Sequence, residues 1–72
     1  MRSIPIQPGD RFCRAENAES IWIAETILER SDLPPHVRLT RADNPYRVIT
    51  VSVSALLDKR LYRRVARPDK AS

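Results

Sequence analysis

Glycine, cysteine and histidine each occur once in these 72 residues, and each scarcity removes a class of chemistry. A single glycine cannot build a Walker-type loop or a dinucleotide fingerprint, because both need several glycines to bring backbone N–H groups against phosphate. The lone Cys13 allows no intramolecular disulfide, and no Cys/His cluster offers four ligands for a structural zinc. No cofactor or metal is expected. A reducing compartment suits a single free thiol. Nowhere do 18 apolar residues follow one another, and no apolar run of signal-peptide length stands near the N-terminus. The sequence therefore reads as soluble and cytoplasmic, with no membrane partner.

Aromatic residues are also few. Phe12, Trp22, Tyr46 and Tyr62 stand against 17 Val, Ile and Leu residues, so the core is expected to be aliphatic with isolated large pieces. A chain this short buries only about 60% of its unfolded surface, which supports one core and one domain. What is abundant is arginine. Eleven Arg and two Lys against nine acids give a net charge of +4 and an isoelectric point near 10.0, which permits attraction to phosphate or to an acidic protein. Acids and bases interleave up to Asp58, and the excess gathers at Lys59, Arg60, Arg63, Arg64, Arg67 and Lys70. The default reading of such a run is a solvated face.

Along the chain, residues 1–7 read as a flexible arm, 8–65 as the domain and 66–72 as a disordered tail, in which Pro68 ends any strand. Pro8-Gly9-Asp10 is a turn signal leading into a short strand, Arg11–Arg14, with Phe12 facing inward. The run Ile21–Leu28 has two readings. Asn17 could cap a helix reaching Arg30, but Ile21-Trp22-Ile23 and Thr26-Ile27 are β-branched or aromatic and suit a strand, with Ile21, Ile23 and Ile27 inward. We prefer the strand, with a bulge or bend where Glu25 interrupts the inward face. Leu33-Pro34-Pro35 reads as a rigid connector. Two alternating strands follow, His36–Arg41 and Arg47–Val53, separated by a turn at Asp43-Asn44-Pro45.

Facing residues in an antiparallel pair share a face, so inward Val37 and Leu39 should meet Val51 and Ile49. That register pairs Arg38 with Thr50 and Thr40 with Val48, and it implies Arg41 opposite Arg47 across a five-residue loop. Ser54–Asp58 suits one α or 3₁₀ turn, and Leu61–Val65 a last strand. Four strands, a helical turn and a fifth strand make an all-β fold, a five-stranded SH3-like barrel whose closure removes sheet edges.

The stretches Pro8–Phe12, Trp22, Leu33–Leu39, Thr50–Asp58 and Leu61–Val65 resemble a group of short, uncharacterised bacterial proteins thought to be SH3-like. The resemblance covers most of the chain and implies a fold. It carries no activity, and SH3-like barrels serve peptide-binding, nucleic-acid-binding and structural roles alike.

Enzyme chemistry finds little purchase. A serine triad would need His36, which follows a proline pair with no nucleophile elbow nearby. A Cys13/His36 dyad is conceivable only because the two lie on separate strands, and each is better explained as a small apolar residue and a strand-start residue. Asp10, Glu25, Asp43 and Asp58 all fall near turns or bends without favouring any pair. The reading is non-enzymatic. If Ile21 and Ile23 face inward, Trp22 faces outward as an anchor for a partner, although an arm bearing Ile4 and Ile6 that covers the indole is the plainer alternative. Arg38, Thr40 and Thr50, with Tyr46 and Tyr62 near them, form the second candidate surface. The expectation is a binding module with a protein partner. Nucleic acid is the rival, and it takes the lead if the arginines cluster on one face.

Overall fold

A computed structural model describes residues 4–66. Five strands run β1 (Arg11–Arg14), β2 (Asn17–Arg30), β3 (Leu33–Arg41), β4 (Asn44–Ser52) and β5 (Tyr62–Val65), with a single-turn helix α1 (Val53–Leu56) before the last. All neighbours are antiparallel, in the order β4-β3-β2-β1-β5. The all-β expectation and the helical turn before the last strand hold. Closure does not: β4 and β5 each have one neighbour, and the sheet is open between them.

Gly9 sits where only glycine is at ease. Its φ is 96°, a region that a Cβ disfavours, and the turn it forms lets its N–H donate to the Ala24 carbonyl at 2.8 Å. Ala24 N–H returns a bond to the Asp10 carbonyl at 2.8 Å, so the Pro8–Asp10 turn is sewn to the middle of β2.

β2 is a strand throughout, and its 14 residues stay paired by bending. Ala24 faces Leu39 and Thr26 faces Arg38, which leaves Glu25 as an extra residue. The bulge predicted at Glu25 is there. It also changes which residues face inward, because an extra residue switches the alternation. Ser20, Trp22 and Ala24 are buried before it and Ile27 packs on the core after it, whereas Ile21 and Ile23 are only half-buried. The inward placement of Ile21 and Ile23 is thus corrected.

β3 begins earlier than expected. Leu33 pairs with Arg30 across a two-residue turn, and Pro34 and Pro35 sit where two residues of β3 oppose Glu29 alone. A bulge tolerates residues that cannot donate to the ladder. The proline pair is therefore part of a strand and not a connector.

The central register is as expected: Val37 faces Val51, Arg38 Thr50, Leu39 Ile49 and Thr40 Val48. The loop is not. Arg41 faces Asn44 across Ala42-Asp43, and Pro45, Tyr46 and Arg47 fall in an irregularity of β4. Tyr46 N–H bonds to Asn44 Oδ1 at 3.1 Å, and Pro45 has no N–H, so the chain kinks locally before it can rejoin the ladder at Val48.

Ser52 caps α1 in place of the expected Ser54, its hydroxyl accepting from Ala55 N–H at 3.2 Å. The core on the inner face is Ile6, Phe12, Trp22, Ala24, Val37, Leu39, Val53, Leu56 and Tyr62, with Ile4, Ile27, Ile49 and Val51 against it. Ile6 lies outside the boundary drawn at Pro8, so the packed unit takes in part of the arm. The predicted tail falls, apart from Ala66, outside the described residues.

Candidate functional site

Two features of the fold decide where a partner could bind: the outer face of the sheet, and a groove between α1 and β5. Trp22 belongs to neither. It is 4% exposed, faces Phe12 and packs in the core that includes Ile6, with the Arg41 guanidinium 5.8 Å from its ring centre. The outward reading of Trp22 is overturned by the alternation switch at Glu25, and the covered reading stands. Among the described residues its Nε1 has no hydrogen-bond partner. Arg41 Nε lies 3.1 Å from Asp43 Oδ1, an ion pair without hydrogen-bond alignment.

Tyr62 is also corrected, from surface to core, with Arg14 5.8 Å over its ring. Thr40 shares the outer face with Arg38 but is 7% exposed, because Ile23 and Val48 flank it on both neighbouring strands. Three of the six predicted residues remain at the surface: Arg38, Thr50 and Tyr46, the last 92% exposed.

The register makes the outer face readable row by row. Val65, Arg11, Ile23, Thr40 and Val48 form one row across all five strands. Arg63, Cys13 and Ile21 lie in a parallel row two residues away along β1, and Thr26, Arg38 and Thr50 in a row on the other side. Arg63, Arg11 and Arg38 therefore descend diagonally across a single face. Neighbouring Cα positions on this diagonal are about 8 and 12 Å apart from strand spacing and rise.

Among the described residues these three belong to the four arginines left over, the fourth being Arg47 in the irregular stretch of β4. Arg14, Arg30, Arg41, Arg60 and Arg64 each pair with a nearby carboxylate. Among the described residues no ion pair engages Arg11, Arg38 or Arg63. The sequence hid this, because facing depends on the bulges and pairing depends on turns that bring acids back to their neighbours.

The same pairings disperse the candidate catalytic groups. Asp10, Asp43 and Asp58 each face their own arginine, in three separate places. Cys13 and His36 face Ile21 and Leu28, which stand seven residues apart on β2, roughly 20 Å. His36 Nδ1–H donates to the Pro34 carbonyl at 2.8 Å. Among the described residues no group of His, Cys, Asp and Glu could hold a metal ion, and no helix is long and apolar enough to cross a membrane.

Between α1 and β5 lies a groove of about 410 Å³ that the sequence does not reveal. Phe12, Leu56 and Tyr62 floor it, Leu57 walls it, and Lys59, Arg63 and Arg64 rim it. A larger hollow of about 770 Å³ lies at the β2–β3 turn, but its charged lining residues include Arg30 and Asp32, which already satisfy each other at 3.2 Å. No protein-family model, curated protein or solved structure matches the chain.

Proposed function

We propose that this protein is a non-enzymatic, cytoplasmic binding module that holds a single nucleic-acid strand across the outer face of its sheet. The observation that carries the reading is the diagonal of Arg63, Arg11 and Arg38, three guanidinium groups without carboxylate partners on one face. Thr26 and Thr50 flank Arg38 in its row and add hydroxyl donors, and phosphate oxygens accept from both kinds of group. Tyr46, beyond the end of the regular β3–β4 ladder, offers an exposed ring on which a base can stack. The wide separation of Cys13 from His36, and the neutralisation of each turn carboxylate by its own arginine, support a module without catalysis. The SH3-like barrel is part of the same proposal. It rests on the strand order, on the helical turn before β5 and on the sequence resemblance, and it requires the gap between β4 and β5 to be the open seam of a curled barrel.

Titration of a labelled, unstructured RNA or DNA oligomer at two salt concentrations tests the function. Three phosphate contacts give a slope near −2 in log affinity against log salt, so affinity should fall roughly 20-fold between 50 and 200 mM. Arg38→Ala should lower affinity for all sequences alike and flatten the slope by about 0.7. An affinity indifferent to salt, or unchanged by Arg38→Glu, refutes the reading.

A further inference from the structure

The groove between α1 and β5 is built differently from the outer face, and it calls for a different partner. Its floor is apolar: Phe12, Leu56 and Tyr62 are core side chains whose outer surfaces line the depression. Leu57, the residue after α1, is 43% exposed on its wall and continues the apolar floor out to solvent. Among the described residues no acidic side chain lines the groove, and three cations do.

Only one of those cations is occupied. Arg64 donates from Nη1 to Asp10 Oδ2 at 2.9 Å and from Nη2 to the Pro5 carbonyl at 2.8 Å, with its guanidinium 5.1 Å from the Phe12 ring centre. Lys59 and Arg63 pair with no carboxylate among the described residues. The groove also runs beside a strand edge that carries no further strand, since β5 has β1 as its one neighbour and Tyr62, Arg63 and Arg64 all line the groove, although Tyr62 N–H on that edge already donates to the Asp58 carbonyl at 3.0 Å.

We infer that the groove docks an extended segment of another protein in which apolar side chains alternate with acidic ones. An extended chain adds to the free edge of β5 by main-chain hydrogen bonds and drops an apolar side chain against Leu57 and the floor. Its carboxylates then meet Lys59 and Arg63. A second copy of this chain is a poor occupant, because each copy carries +4 and the rim is cationic. Nucleic acid is a poor one too, since the exposed wall is aliphatic and offers no ring face to a base. The site does not depend on Arg38 or the nucleic-acid reading, although Arg63 borders both surfaces.

The probe is a fluorescein-labelled peptide of leucines alternating with glutamates, with two controls: lysine in place of glutamate, and alanine in place of leucine. The leucine–glutamate peptide should bind and shift the backbone amide resonances of Leu57, Lys59, Tyr62, Arg63 and Arg64, while both controls bind at least tenfold more weakly. Leu57→Ala and Lys59→Glu should each weaken binding fivefold or more with thermal midpoints within a few degrees of wild type, as both side chains are exposed. Arg38→Ala should leave this affinity unchanged, which separates the groove from the outer face. Equal binding of the lysine control, resonance shifts centred on Arg38, no binding at millimolar peptide, or Leu57 and Lys59 resonances moved by an RNA oligomer in place of the peptide would each overturn the inference.

Discussion

Arg64 on β5 reaches across 54 residues of sequence to Asp10, its Nη1 donating to Oδ2 at 2.9 Å, and in doing so lays its guanidinium over Phe12. The same Asp10 oxygen accepts from the Gln7 backbone N–H at 2.9 Å, and the second arm of the guanidinium holds the Pro5 carbonyl. One planar fork therefore joins the last strand, the first turn and the arm that brings Ile6 into the core.

Arg64→Ala should cost about 1–2 kcal/mol, the scale of two charge-assisted hydrogen bonds at a half-exposed site together with a cation–π contact. Arg64→Lys should recover little of it, because an ammonium cannot span two acceptors in the plane of a fork. Urea titration of the three proteins decides. Equal midpoints for wild type and Arg64→Ala would show that the fork contributes nothing measurable.

Burial of Trp22 leads to a larger effect. Trp22→Ala should destabilise by about 3–5 kcal/mol through lost transfer energy and the cavity left beside Phe12 and Ile6. A 72-residue domain has only about 4–11 kcal/mol in total, so this variant should be close to unfolded, and Trp22→Phe provides a folded intermediate case. The native indole should emit at shorter wavelength than the urea-denatured one. A loss of about 1 kcal/mol or less in Trp22→Ala, measured in denaturant, would mean that the indole is exposed.

Asp58 and Arg60 give the pH-dependent case. Arg60 holds the Asp58 carboxyl below the usual carboxylate range, chiefly by side-chain hydrogen bonds of 3.1 and 3.0 Å and then by its backbone N–H at 3.0 Å. A lowered carboxylate pKa favours the fold above the ordinary value, and that contribution is lost as pH falls through the lowered value. In Arg60→Ala the Asp58 midpoint should rise toward the ordinary value but stop short of it, because the backbone donor remains. Side-chain carboxyl NMR reads it directly. The thermal midpoint should hardly move, since this pair is solvent-screened. An unchanged Asp58 midpoint would show that the side-chain contact is absent in solution.

Much of the fold could be read from local rules, and the misplacement of Trp22 has one cause. β1, the strand character of β2, the Val37/Val51 and Leu39/Ile49 register and the helical turn all follow from alternation and β-branched content. Even the bulge at Glu25 was visible as a charged residue on an inward face. Its consequence reaches along the whole strand: between Ala24 and Ile27 lie three steps, an odd number, yet both face the core. Applying one alternation to the whole of β2 sent Ile21 and Ile23 inward and Trp22 outward. The groove was invisible for another reason, since Phe12, Leu56, Leu57 and Tyr62 meet only through the closing of β5 on β1.

The bulge itself is open to test, because its side chain and its backbone have separable roles. Glu25 is exposed and forms no ion pair among the described residues, so Glu25→Ala should change stability by no more than about 0.5 kcal/mol. Deleting Glu25 is different. Ala24 would still face Leu39 and Thr26 would still face Arg38, so every side chain keeps its side of the sheet and only the extra residue that bends β2 is lost. A straightened β2 cannot carry Trp22 over Phe12 at one end and Ile27 over Val37 at the other while both stay on a single curled core. The deletion should therefore cost about 2 kcal/mol or more without removing any core side chain, measured by denaturant titration beside Glu25→Ala. If the two variants are equally stable, the curvature of β2 comes from elsewhere, and the bulge merely accommodates one extra residue.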